Sequence, residues 1–274
     1  MEVRVVDKSE FVARLVIEGV DVPFMNALRR VIVAEVPSMA IDDVVIIENS
    51  SMLHDEILAH RLGLIPLKTD LDTYNLPQEC PCKSELGCNL CRVSLTLNAE
   101  AMDGVKTIYS GDLVSENPGV KPISDRIPII KLAPDQKIQL EAYARLGKGK
   151  DHAKWQPVSM CTYKQFPRIK IDEKRCDACG KCVEVCPRRV LINVEKKLEL
   201  RNVIECTVCQ DCVDACPASP PAVQVSWDED VFVLDIESSG ALPVERIFLE
   251  AIKILDGKVE AFLSQLTVKK DEAG

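Results

Sequence analysis

The sequence predicts an α+β fold: a β-rich body bounded by an apolar helix near each chain end and interrupted by a small cysteine-rich domain. Three observations predict it. Residues 92–142 alternate apolar and polar side chains at period 2, the pattern of half-buried strands. Residues 21–37 and 243–266 repeat apolar side chains every three or four positions, as helices do. Eight of the thirteen cysteines fall between Cys176 and Cys216, too many small thiols for an ordinary core segment.

The bulk numbers agree with a folded chain of more than one domain. It has 274 residues, 47% of them hydrophobic and only 4% aromatic, so its core is aliphatic. The 34 basic residues are outnumbered by 43 acidic ones, for a net charge of −9. This argues against direct nucleic-acid binding, which rests on neutralising phosphates. Neither an 18-residue apolar run nor a basic-then-apolar leader is seen, so a cytoplasmic chain without a membrane span is expected. In that compartment clustered cysteines are read as metal ligands and not as disulfides.

Taken in order, residues 2–6 and 11–17 read as a hairpin turned at Asp7-Lys8-Ser9 and ended by Gly19. Pro23 and Pro37 bracket a helix whose apolar set, Phe24, Leu28, Val31, Ile32 and Val36, is wide enough to need cover on more than one side. A core helix is one reading and a subunit-interface helix the other. Ile41 to Ile47 reads as a buried strand, and His54 to Leu62 as a short helix stopped by Gly63. His54 and His60 lie six apart, a poor helical spacing for one metal, and are given a structural or interface role.

Cys80, Cys82, Cys88 and Cys91 form C-x-C-x5-C-x2-C, with Pro81 and Gly87 to tighten the backbone. Four thiols this close suit a tetrahedral Zn2+ site; an iron–sulfur site is the alternative. Beyond the loop, Asp103-Gly104 predicts a hairpin returning through Val105 to Tyr109, and Ile127 to Leu132 with Ile138 to Ala142 reads as a second pair. The basic stretch from Gly147 to Trp155 lacks the full phosphate-loop pattern. It is expected to present His152, Lys154 and Trp155 to a neighbour. Val158 to Tyr163 is a further strand, with Cys161 as a buried small hydrophobe.

C-x2-C-x2-C-x3-C-P then appears twice, as Cys176, Cys179, Cys182, Cys186-Pro187 and as Cys206, Cys209, Cys212, Cys216-Pro217. In the bacterial ferredoxin arrangement each run gives three thiolates to one cluster and its fourth to the other. One cluster then takes Cys176, Cys179, Cys182 and Cys216, and the other takes Cys206, Cys209, Cys212 and Cys186. A hairpin around Glu195-Lys196-Lys197 separates the runs, and another is expected around Asp228-Glu229-Asp230. The last helix carries Val244, Phe248, Ala251, Leu255, Val259, Phe262 and Leu266 in one stripe, interrupted only by Gly257. So long a stripe with little chain left to cover it suggests a partner. The tail from Lys269 to Gly274 reads as a solvated end.

Two longer stretches carry a resemblance. Asn26-Ala27-Leu28-Arg29-Arg30, continuing through Glu35-Val36-Pro37-Ser38-Met39-Ala40-Ile41-Asp42, is similar to the opening dimerisation helix of the α-like subunits of DNA-directed RNA polymerase. His54 through Leu67 is similar to that family's second signature. The glycine loop, the cysteine loop and the closing helix follow in the same order, and the ferredoxin-like insert points to the archaeal branch, the D-type subunits.

The resemblance implies an α-like dimerisation module, residues 1–40 plus 223–274, holding an inserted β-rich domain, 41–170. That domain contains the loop 80–91 and itself carries a ferredoxin-like iron–sulfur domain, 171–222. It implies a subunit interface made by Phe24, Asn26, Leu28, Arg29, Arg30 and Val31 of the first helix with Phe248, Leu255 and Phe262 of the last. The partners implied are the small α-like subunit L, then the small subunits N and P, then the large catalytic subunits. Nothing resembles the aspartate-rich Mg2+ loop of the catalytic subunits, so no catalytic residue is expected. Family members keep two clusters, one or none. Eight ligands in register allow two [4Fe–4S] clusters, with a [3Fe–4S] form at Cys206, Cys209 and Cys212 if the crossing ligand is withheld. A ferredoxin-type electron carrier is the rival reading, and it rests on the eight cysteines alone.

Overall fold

The structure is a computed structural model, and it describes residues 1–84, 87–195 and 197–271, with side chains described up to Leu266 apart from that of Lys196. The chain divides into two compact units. The first comprises Met1–Asp7, Arg14–Asn26 and Thr162–Asp235; the second comprises Lys8–Ala13, Ala27–Cys161 and the residues from Ile236 onward.

Strands β1 (Glu2–Lys8) and β2 (Val12–Glu18) form the expected N-terminal hairpin. Gly19, at φ +74°, ends it, since only glycine turns there without a Cβ penalty. Helix α1 (Val22–Ala34) follows. Asp21 caps it, its carboxylate accepting the Phe24 N–H at 2.9 Å, and Pro23 sits in the first turn, where its missing donor costs nothing. Met25, Leu28, Val31 and Ile32 are buried along one side.

The second unit holds the larger core. β3 (Pro37–Asn49), α2 (Asp55–Gly63), β4 (Arg92–Ala101), β5 (Lys106–Tyr109), β6 (Val114–Ser115), β7 (Pro128–Leu132) and β8 (Gln136–Lys148) build it. The main sheet has the order β3-β8-β4-β6. Its register sets Leu97 opposite Leu140 and Val93 opposite Ala144, joining the two alternating strands on their apolar faces. Val93, Leu95, Leu97 and Ala99 are all buried, and Leu58 and Leu62 of α2 pack into the same core.

This pairing corrects two expectations. The strand after Asp103-Gly104 does turn back, with Gly104 at φ +91°, but β5 pairs with β7 and not with β4. Nor does β7 pair with β8. Both edges of β4 are taken, one by β8 and one by β6, so β5 and β7 are left to each other.

The glycine loop also departs from expectation. A Cβ on Gly147 would lie 2.3 Å from the indole of Trp155, and one on Gly149 would lie 2.3 Å from Val33 O, so both glycines serve close packing. Trp155 is buried, and its Nε1 donates to Arg145 O at 3.2 Å. Lys154 turns inward to the Asp42 carboxylate and to Ile41 O, lying over the indole. Only His152 of the three remains exposed.

The first unit is organised on a four-stranded sheet, β1-β2-β12-β9, completed by β9 (Val158–Ile171) and β12 (Val223–Ser238). The hairpin expected at Asp228-Glu229-Asp230 is absent, and β12 runs straight through. No glycine or asparagine there offers a left-handed turn residue. Instead Asp228 pairs with Arg168 at 2.7 Å, and Asp230 O accepts the Gly19 N–H at 2.8 Å. Between β9 and β12 lie α3 (Lys181–Val185), β10 (Leu191–Val194), β11 (Lys197–Leu200) and α4 (Asp211–Asp214). The segment leaves and rejoins the sheet at one point, where the Asp172 N–H donates to Ala222 O at 2.8 Å. β10 and β11 pair as expected, with Val194 facing Lys197; Lys196 of the predicted turn lies outside the described residues.

Helix α5 (Val244–Asp271) closes the chain in the second unit. Val244, Ile247 and Ala251 are buried, whereas Val259, Phe262, Leu263 and Leu266 are each at least half exposed. The backbone of α5 covers the first part of the tail predicted to be solvated; residues 272–274 lie outside the described residues.

Candidate metal centres

Backbone hydrogen bonds close the cysteine loop on itself. The Asn75 N–H donates to Leu90 O at 2.8 Å, and the Cys91 and Arg92 N–H groups both donate to Cys88 O at 2.9 Å. Gly87 takes φ +77°. These turns bring Cys80, Cys82, Cys88 and Cys91 together, with all four sulfurs within 4.8 Å of one another. Three sulfur pairs measure 3.7 Å (Cys80–Cys88), 3.9 Å (Cys82–Cys91) and 3.9 Å (Cys88–Cys91). A tetrahedron with zinc–sulfur bonds of 2.3 Å has edges of about 3.8 Å. The sulfurs therefore fit a single tetrahedral ion.

The Cys88 and Leu90 N–H groups point at Cys91 Sγ (3.2 Å) and Cys88 Sγ (3.4 Å), the donors that a thiolate accepts. The Ser84 N–H, and then Cys80, draw the Cys82 thiol down to about 7. The Cys80 thiol, helped down by the Cys82 N–H but outweighed by burial and its neighbouring sulfurs, is pushed up to about 12. Four thiols this close cannot all ionise unless a cation shares their charge.

The twin run makes two sites, and they are crossed. Cys176, Cys179, Cys182 and Cys216 line one pocket. Cys186, Cys206, Cys209 and Cys212 line another. The thiol electrostatics divide the same way. Burial, and then Cys176, Cys179 and Cys216, push Cys182 up. Burial, and then Cys186, Cys206 and Cys209, push Cys212 up to about 11.

The backbone repeats with the cysteines. Ala178 and Gly180 have φ of +53° and +83°, and Val208 and Gln210, at the equivalent places in the second run, have +58° and +71°. A β-branched valine in this region is strained, so the surrounding structure must over-determine it. Left-handed residues turn successive N–H groups inward, the nest geometry that receives iron–sulfur groups. Val190, Val208 and Ala222 N–H groups donate to the sulfurs of Cys186 (3.4 Å), Cys206 (3.4 Å) and Cys216 (3.3 Å). Burial works against the Cys216 thiolate, but N–H groups of Ala222, Ala218 and Val223 outweigh it and lower its pKa. Among the described residues neither quartet draws together as the loop's four sulfurs do, so each fits a group larger than a single ion, set in its own pocket.

The residues expected at a subunit interface separate. Leu28 and Val31 are buried within the chain itself and belong to its own packing. Phe24, Asn26 and Arg29 are half-buried and Arg30 is exposed; Phe248 and Leu255 are half-buried and Phe262 is 61% exposed. Sequence reading missed two residues of the first unit, Arg14 and Lys164, which grip the turn before Cys206. A charged residue in an otherwise alternating strand was the only signal.

Comparison with known proteins places this architecture. Residues 44–172 match the RNA polymerase Rpb3/RpoA insert domain, and residues 168–217 match the 4Fe-4S dicluster domain. The chain is thus a protein of the RNA polymerase insert-domain class that carries a dicluster ferredoxin-type segment. Relatives extend the match to nearly its whole length. The DNA-directed RNA polymerase subunit Rpo3 of Methanosphaera stadtmanae is 40% identical over 266 residues, 96% of this chain and 98% of its own. The Rpo3 proteins of Archaeoglobus fulgidus and Methanothermobacter thermautotrophicus are each 42% identical, over 94% and 96% of this chain and 95% and 98% of theirs. The chain belongs to the Rpo3 family of DNA-directed RNA polymerase subunits. Among the described residues, no helix is long and apolar enough to cross a membrane.

Proposed function

We propose that this chain is a non-catalytic assembly subunit of an archaeal DNA-dependent RNA polymerase. It pairs with the small α-like subunit L, and the pair, joined by N and P, docks the large catalytic subunits. Residues 1–40 with 223–274 act as the dimerisation module, 41–170 as the inserted domain and 171–222 as the ferredoxin-like domain. The observation that carries this reading is the end of α5. Val259, Phe262, Leu263 and Leu266 leave an apolar stripe in water, and stripes of that kind mark protein interfaces. Phe24 and Arg30 of α1, with Phe248 and Leu255 of α5, extend the interface. The chain acts in the cytoplasm.

The metal centres are structural in this reading. Cys80, Cys82, Cys88 and Cys91 hold Zn2+. Cys176, Cys179, Cys182 and Cys216 hold one [4Fe–4S] cluster, and Cys186, Cys206, Cys209 and Cys212 hold the second. They stabilise the small domain, whose buried core cluster is Leu191 and Val223 with the cysteines Cys182 and Cys212, the hydrophobics packed around them being only partly buried. Through its stability they make assembly sensitive to redox state.

Co-expression with the small α-like subunit tests the scaffold. The expected product is a 1:1 heterodimer by size-exclusion chromatography with light scattering, lost in Phe262→Asp. A soluble monomer indifferent to that partner would refute the proposal. Iron, sulfide and zinc contents of the anaerobically purified complex test the metal assignment.

A further inference from the structure

The two cysteine runs repeat each other in backbone but not in what holds them. The second run is preceded by a 3-10 turn, Val203–Glu205; two strands of the sheet reach it, and a third braces one of the side chains that does so. From β9, Lys164 Nζ donates to Ile204 O and, at 3.0 Å, to Cys206 O. From β2, Arg14 pairs with Glu205, the residue before Cys206, and Arg14 Nε donates at 2.6 Å to Asp235 of β12. Among the described residues the first run is tied at the matching place only within its own turn, with no lysine or arginine reaching it from the sheet. The Cys176 N–H donates to Asp172 O at 3.0 Å, and Arg175 pairs with Asp172 of its own turn.

Lys164 is partly buried, with Arg14, Glu205 and Asp235 as its charged neighbours. Two cations and two carboxylates balance around the turn, so removing Lys164 leaves the set one unit more negative beside a cysteine of the second site. An ammonium bound to the carbonyl of Cys206 also fixes the peptide from which that side chain departs. A reduced cluster carries one more negative charge than an oxidised one. A nearby cation therefore favours reduction, and charge and hydrogen bonding near the sulfurs set the potential.

We infer that Lys164 is a positioning residue for the second cluster: it holds Cys206 in place from the sheet and raises the reduction potential of that cluster alone. The inference rests on the proposed reading that Cys186, Cys206, Cys209 and Cys212 hold an iron–sulfur cluster.

The test uses the full chain, purified anaerobically with its small partner, as wild type, Lys164→Met and Lys164→Arg. Iron and sulfide contents are measured, together with thermal unfolding and an electron paramagnetic resonance titration with dithionite. In Lys164→Met the second cluster shifts to a more negative potential, or is lost with half of the iron, while the first keeps its potential. Lys164→Arg, which keeps the charge, restores most of the shift. Unchanged potentials at full iron content in Lys164→Met would overturn the inference. So would equal loss of both clusters alongside a fall in unfolding temperature, since the lysine would then serve the fold as a whole. Iron content that is the same in wild type and in a variant carrying Cys206→Ser, Cys209→Ser and Cys212→Ser together would instead refute the cluster assignment beneath it.

Discussion

The loop at Cys80–Cys91 and the twin run at Cys176–Cys216 use the same side chain for opposite ends. In the loop the sulfurs touch: pairs at 3.7 to 3.9 Å leave room at their centre for one ion. In the run each quartet lines its own pocket, and among the described residues neither draws together into the compact four-sulfur group of the loop. C-x2-C occurs in both, but only the run repeats it, and the left-handed residues fall in different places. Among the described residues of the loop they are Lys83 and Gly87, between the second and third cysteines, and the C-x2-C step closes through Cys88 O. In each run they fall inside the C-x2-C steps themselves, at Ala178 and Gly180 and at Val208 and Gln210, where they turn N–H groups toward the centre. A quartet of thiols therefore selects its occupant by the turns between them.

That contrast can be broken experimentally, and the largest effect is in the run. Replacing Cys206, Cys209 and Cys212 with serine should remove half of the iron and sulfide and leave zinc untouched, by metal analysis of the anaerobic protein. Loss of all the iron would mean that the two sites form one. A smaller effect is expected in the loop. A zinc chelator should strip the metal while the visible absorption of the clusters persists, and hydrogen exchange should rise from Asn75 to Arg92. Protection of that segment without metal would show that its backbone bonds suffice. The smallest effect is at the turn itself. Gly87 sits at φ +77°, and a Cβ there would meet Cys91 Sγ at 3.3 Å. Gly87→Ala should weaken zinc about tenfold, the cost of forcing an L-residue into that region, read by competition with a chromogenic chelator. No change would mean that the loop's strain is not felt by the ion.

Much of this was legible in the residues because it is local. Cysteine spacing acts over a few residues, so both the loop and the crossed quartets could be anticipated. Val93 to Ala99 showed its buried face by simple alternation, and Pro23 and Asp21 announced α1. What could not be read was choice of partner. β5 and β7 each look like half of a hairpin, and only the occupied edges of β4 decide that they pair with each other. Asp228-Glu229-Asp230 resembles a turn by polarity, yet its role is to meet Arg168 and Gly19 from elsewhere in the chain. Trp155 looked like a surface residue beside two lysines until Gly147 was seen to make room for it. Leu28 and Val31 carry the pattern of an interface helix, but that pattern does not say which side of the helix the chain keeps for itself.

The hydrogen bond between Asp172 and Ala222 closes the sheet behind the cysteine segment. Its two ends are already neighbours, so a tight turn could join β9 to β12 in its place, and closure costs depend only weakly on the length of what is inserted. In genetic terms the cysteine segment is a cassette whose chain enters and leaves at one seam. A lineage that pared it back would have to replace one turn there and find new partners for Lys164 and Arg14, which hold the segment from the sheet.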